Sequence, residues 1–224
     1  MRRQNMIKQY KFIMMKSFNK IIKYLIIGDF FFNSALGLIS PIFALFVVLK
    51  ITNNDAAAAA QVVGYSTFLL WSVKSILQIP IGKYLDRNHG EADDFWSLFI
   101  GHLIVGLTPF GFLFSNQIWH IYGVSLAQAI GLAMLVPPWF AVFSRHIDKD
   151  KEAYEWSVDS TSLGIGIGIT GALGGYLMAH FNFDIIFILA GILGTVATVS
   201  LLFIKEDICK GENILHQIPP SRPF

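Results

Sequence analysis

The chain has 224 residues, 54% of them hydrophobic and 14% charged, with a formal net charge of +2 and a mean hydropathy of +0.56. It is too apolar for an ordinary water-soluble domain, where about a quarter of residues are charged, and its weak net charge does not point to nucleic acid. The single cysteine, Cys209, excludes an internal disulfide.

A spanning helix needs about 20 apolar residues. Six segments qualify: 24–49, 61–82, 95–114, 118–143, 157–180 and 183–204. The expected fold is therefore all-α, a polytopic membrane protein. It has a basic N-terminus (1–23), a six-helix domain (24–204) and a tail (205–224). The basic start runs into a segment too long for the core of a secretory signal, so no cleavable signal is expected. Residues 1–23 hold seven Lys and Arg, interleaved with Tyr10, Phe12 and Ile13. That composition suits anionic lipid headgroups.

Segment 1 carries Asp29, Asn33, Gly37 and Pro41. Asn54 or Asp55 is the expected N-cap of the next helix, which starts in an alanine run. Segment 2 carries Trp71, Lys74, Gln78 and Pro80, and runs into the charged stretch Gly82 to Gly90. Glu91, Asp93 and Asp94 then precede segment 3, a favourable place for acids near a helix N-terminus. Segment 3 holds His102 and Pro109. The turn at 115–117 is short enough to make segments 3 and 4 antiparallel neighbours. Segment 4 holds Gln128 and Pro137-Pro138, which should kink it. Arg145 to Glu152 reads as a solvated loop.

Asp159, with Ser160 and Ser162, reads as the N-cap of segment 5 or as a cavity residue. Gly164, Gly168, Gly171 and Gly175 recur at steps of 4, 3 and 4. They share a face on which another helix can approach closely. Segment 6 is almost wholly apolar and reads as a lipid-facing support.

Of the 17 Lys and Arg, all but Lys50 and Lys74 fall in the terminal stretches and the loops 83–94 and 144–156. These lie on one side if all six segments cross. The positive-inside rule then puts both termini in the cytoplasm, here of a cell (inner) membrane.

A charge at mid-membrane costs about 2.5–3.5 kcal/mol on the insertion scale, so Asp29 and Lys74 need a reason. Both lie ~12 Å deep from the same end, at ~1.5 Å per residue, and His102 is at similar depth. Depth alone allows an Asp29–Lys74 ion pair. Two readings fit. In one, Asp29 binds a proton or a cationic group with Lys74 as counter-charge. In the other, the pair is permanent and fixes packing, or Lys74 snorkels to the interface. The amides of Asn33, Gln78 and Gln128 serve either substrate contact or interhelical hydrogen bonds. Gly123-Val124-Ser125-Leu126 lacks the last glycine of an intramembrane serine-protease motif. No His/Cys/Glu spacing suggests a metal, and no phosphate-binding loop is present. Neither an enzyme nor a cofactor is expected.

Gly82-x-x-x-Asp86-Arg87 resembles the loop between helices 2 and 3 of the major facilitator superfamily, with the second glycine at Gly90 and Glu91-Ala92 where the family is basic. Gly174-Gly175-Tyr176-Leu177 through Phe181, Asp184 and Phe187 is similar to the family's helix 5 exit. Arg145 to Ala153 is similar to its charged 4–5 linker. Gly166, Gly174 and Gly175 overlap the antiporter motif of helix 5, but Gly171 takes its proline position.

The resemblance implies secondary transport of a small solute by alternating access, with proton coupling as one option. The family has twelve helices in two halves, and this chain is similar to the N-terminal half. A homodimer in the lipid membrane is the implied unit. Asp86 would close a gate against the other half, with Arg87 in a local ion network and Gly82 allowing close approach. Helices 1, 2, 4 and 5 would surround the cavity. The alternative is a subunit, scaffold or sensor that keeps the fold without transport.

Overall fold

A computed structural model describes residues 19–88 and 90–209. The basic stretch with Tyr10, Phe12 and Ile13 lies outside the described residues. Six long helices account for most of the rest: α1 (Lys20–Ile39), α2 (Ala56–Asn88), α3 (Glu91–Leu113), α4 (Ile118–His146), α5 (Glu152–His180) and α6 (Phe183–Leu202). All six are long and apolar enough to cross a membrane, and the described residues contain no strand.

Local chemistry sets the helix ends. The Asn19 side chain accepts from the Ile21 N–H at 3.0 Å and caps α1. Past Ser40-Pro41 the chain makes one α-turn (Phe43–Phe46) and a π-helical turn (Val47–Ile51). It then reverses through Asn53 and Asn54, both left-handed with φ of 51° and 70°, a conformation that Asn tolerates better than most residues. Asp55, one of the two expected caps, accepts from the Ala58 N–H at 2.9 Å and starts α2. Asn182 caps α6 through the Ile185 N–H at 3.3 Å.

The charged stretches are shorter and more ordered than the sequence suggests. Helix α2 continues through Asn88 and α3 begins at Glu91, so Asp86 and Arg87 sit on the last turn of α2. Likewise Arg145 and His146 end α4 rather than open a solvated loop. The short α4–α5 connection carries a Lys151–Asp148 ion pair at 2.6 Å. That hydrogen bond holds the Lys151 ammonium above its ordinary range.

Only α3 and α4 pack closely as sequence neighbours. In space the strong contacts run α2–α4–α3–α6–α1–α5. This order places α6 between α1 and α3, and half of its apolar window is buried. Its other face, with Ile188, Ile192, Val196 and Val199, is apolar and exposed, as a lipid-facing support requires. Helices α2 and α5 stand at the two ends of the order, with one strong neighbour each. Their windows are only 17% and 11% buried, against 44–56% for the other four.

Lipid is as apolar as leucine, so close packing rather than the hydrophobic effect holds such helices together. Two seams show this. On the α3–α6 seam Gly106 and Gly194 bring backbones together: a Cβ on Gly106 would lie 2.9 Å from the Gly194 oxygen. On the α1–α5 seam Gly37 faces Ile167 and Thr170, and Gly174 lies on the Leu38 carbonyl. The face of α5 that packs is therefore Gly166, Thr170 and Gly174. The face predicted for close approach is unfilled within the chain. A Cβ on Gly164, Gly168 or Gly175 would meet nothing within 4 Å, and one on Gly171 would meet only the Gly37 oxygen, at 3.7 Å.

Candidate functional site

Among the described residues, two cavities lie between helices of the bundle. The first lies toward the end that carries the charged connections and has a volume of about 270 Å³. Asp29 and Asn33 reach it from α1, Trp139 and Phe140 from α4, and Trp156 and Asp159 from α5. Each is placed by ordinary helix periodicity. Asp29 and Asn33 are one turn apart, as are Trp156 and Asp159, so each pair shares a face. The seam at Gly37, Gly166 and Gly174 brings α1 and α5 close enough for Asp29 and Asp159 to interact electrostatically.

Asn33 donates its side-chain amide to the Asp29 carbonyl at 2.9 Å. One Asp159 oxygen, Oδ1, is buried without a hydrogen-bond partner, and so is the Trp139 Nε1–H. The Trp139 and Trp156 rings lie 5.9 Å apart, and Phe143 stacks on Trp139 at 4.9 Å. The site therefore combines two carboxylates with aromatic faces. Two like charges in an apolar cavity repel, and a proton or a cation between them relieves that repulsion. Aromatic faces add attraction for an organic cation.

The expected site residues are only partly brought together. Asp29, Asn33 and Asp159 converge. Asp159 is a turn and more inside α5, which begins at Glu152. It lines the cavity and is not the N-cap. Lys74 does not pair with Asp29: α1 packs on α5 and α6, while α2 packs on α4. The Lys74 ammonium instead lies 4.6 Å over the Trp71 ring. Gln78, also on α2, lines neither cavity. His102 is buried inside the bundle, with Nδ1 3.2 Å from the Leu98 carbonyl and its ring against Phe32. It is a packed residue and does not meet Asp29. Gln128 lines the second cavity, apart from the carboxylates.

The motif residues at the charged end form a different arrangement. Asp86 and Arg87 are exposed, and neither ion-pairs with another described residue. Gly82 faces Pro137 of α4, 3.7 Å from where its Cβ would stand. The acids that stand in place of basic residues find their cation on α4. Arg145 contacts Asp94 at 2.5 Å and Glu91 at 3.5 Å, and His146 Nε2 lies 3.5 Å from Glu91. Asn19 also donates to the His146 carbonyl at 3.3 Å. This cluster ties the starts of α1 and α3 to the end of α4.

Trp139, Phe140 and Trp156 are site residues that the sequence reading did not select. Trp156 carried the better signal, because it lies three positions before Asp159 on the same helix.

A family model for the Major Facilitator Superfamily matches residues 25–216. A protein of Lactococcus lactis subsp. lactis (strain IL1403), named as a multi-drug resistance efflux pump PmrA homolog, is 27% identical over 192 residues. The match covers 83% of this chain and 45% of the relative, so the chain spans less than half of that protein's length. No solved structure matches.

Proposed function

Because the chain belongs to the major facilitator superfamily, we propose that it moves a small, amphipathic, cationic solute across the membrane by alternating access. The observation that carries this reading is the meeting of Asp29 and Asp159 with Trp139 and Trp156 in one cavity. In this reading the carboxylates hold either the solute's positive charge or a proton, and exchange of one for the other couples the two fluxes. The Lactococcus lactis relative is named as an efflux pump, which supports outward movement. The distribution of Lys and Arg supports cytoplasmic termini in a cell membrane.

A six-helix bundle supplies one wall of such a path. The second wall is a second copy of the chain, related by a two-fold axis along the membrane normal. The little-buried faces of α2 and α5 support this, with Gly164, Gly168 and Gly175 open for close approach. Asp86 and Arg87, exposed on the last turn of α2 and without an ion pair to another described residue, would then meet the partner bundle and gate the charged end.

The test is flux in proteoliposomes for a panel of small solutes, tetraphenylphosphonium among them, with and without a pH gradient. Transport of a cation that responds to the gradient, and fails to respond in Asp29→Asn and Asp159→Asn, is expected. An unchanged gradient response in both variants overturns the coupling role. Absence of flux for every solute favours the subunit, scaffold or sensor. A monomer by mass measurement in lipid nanodiscs, still competent in flux, removes the dimer.

A further inference from the structure

The second cavity has chemistry of a different kind. It lies toward the opposite end of the bundle, between α1, α2, α3, α4 and α6, with a volume of about 260 Å³. None of its lining residues is Asp, Glu, Lys, Arg or His. A charged group placed there would lose its hydration and find no counter-charge. The cavity is nevertheless not purely apolar. Ser66, Thr67 and Thr108 line it, and each donates its hydroxyl proton to a carbonyl of its own helix, at 2.9, 2.8 and 2.7 Å. Those oxygens are left able only to accept. The side chains of Ser125 and Gln128, also in the lining, form no hydrogen bond with any described residue. The lining thus presents three hydroxyl oxygens that can only accept, while the Ser125 hydroxyl and the Gln128 amide can both accept and donate.

Phe32 lines both cavities. It is held edge-on against His102 at a ring separation of 5.1 Å. It stands as a partition between an acidic compartment and a neutral one.

From this placement we propose that the neutral cavity is a second binding site, independent of Asp29 and Asp159, for a small uncharged aromatic molecule bearing a hydrogen-bond donor, in chemical class a phenol. The ring fills the apolar space between Phe32, Leu70 and Phe112. The hydroxyl donates to the acceptors on α2, α3 or α4 and is oriented by Gln128. The volume, below the ~300–1,000 Å³ of drug-sized pockets, limits the site to one ring or a small fused pair. The site stands on its own residues and does not require the acidic cavity to carry transport.

The experiment is photolabelling of the full chain in lipid nanodiscs with a diazirine-bearing phenol, the adducts being mapped by mass spectrometry. Adducts are expected on α2 and α4 at residues such as Leu70 and Gln128, displaced by excess thymol and retained in the presence of tetraphenylphosphonium. They persist in the Asp29→Asn/Asp159→Asn variant. Gln128→Leu, close in size, lowers labelling at the site at least fivefold; Ser125→Leu, which fills the space, is the second variant and gives the same loss. Adducts concentrated on Trp139 and Trp156, displacement by tetraphenylphosphonium, or labelling spread over outward-facing residues with no preference for the cavity overturns the proposal. Because the cation and the phenol are read separately, failure of one site is distinguishable from failure of the other.

Discussion

A close glycine-on-glycine backbone contact makes the sharpest prediction. On the α3–α6 seam, a Cβ added to Gly106 would stand 2.9 Å from the Gly194 oxygen and 3.0 Å from its carbonyl carbon. One added to Gly194 would stand 2.7 Å from the Gly106 Cα. Ordinary contact begins at 3.4 Å, so each methyl needs roughly half an ångström that only a shift of a whole helix supplies. Overpacking of this kind costs about 1–3 kcal/mol. The better helix propensity of alanine offsets up to ~1 kcal/mol of it. Each single alanine variant should therefore lose about 1–2 kcal/mol. One helix displacement serves both methyls, so the double variant should cost less than the sum, by about 0.5 kcal/mol or more. Thermal unfolding in nanodiscs, followed by tryptophan fluorescence, reads these losses as roughly 2–4 °C per kcal/mol. Gly123→Ala is the control, because nothing lies within 4 Å of its new Cβ. Equal stability of Gly106→Ala and Gly123→Ala, or strict additivity in the double variant, would refute the reasoning.

Other substitutions probe the remaining features. Arg145→Met leaves the Asp94 carboxylate, 2% exposed, without its cation; a loss of about 1–3 kcal/mol is expected, read as a lower unfolding temperature, with Arg145→Lys losing less. Asp55→Ala removes the cap of α2 and should cost about 1 kcal/mol, measured in the same way. Lys74→Met gives up only a cation–π contact of about 0.5–1 kcal/mol and should leave the pH-gradient response of transport unchanged, which a flux assay checks. Gly164→Leu with Gly168→Leu should leave the single bundle folded while shifting nanodisc mass measurements toward monomer.

Six helices were legible from hydropathy because lipid demands a length and a composition that little else produces. The partners of Asp29 were not. Counting residues from a helix end fixes depth, one coordinate of three; it says nothing of which helices are neighbours. Lys74 and Asp159 both lie at suitable depth, but only α5 packs against α1. The glycines teach a similar lesson. Gly164, Gly168, Gly171 and Gly175 marked one small face, while Gly166, Thr170 and Gly174, spaced by fours, marked a second. Periodicity identifies both faces, and only the packing of α1 shows which is used within the chain. At the charged end the sequence showed that acids had replaced basic residues. The compensating cation was hidden, because Arg145 lies far along the chain and comes near only through the α3–α4 hairpin.

The two helices left largely unburied, α2 and α5, bear on how activity should scale in a cell. If, as proposed, the solute path needs a second copy of the chain, pairing follows mass action in the plane of the membrane. At low surface density the paired fraction is small, and transport should rise with the square of the amount inserted. At high density it should become linear. Halving expression would then cost up to three quarters of the flux, so gene dosage itself becomes a quantity that reads out the open faces of α2 and α5.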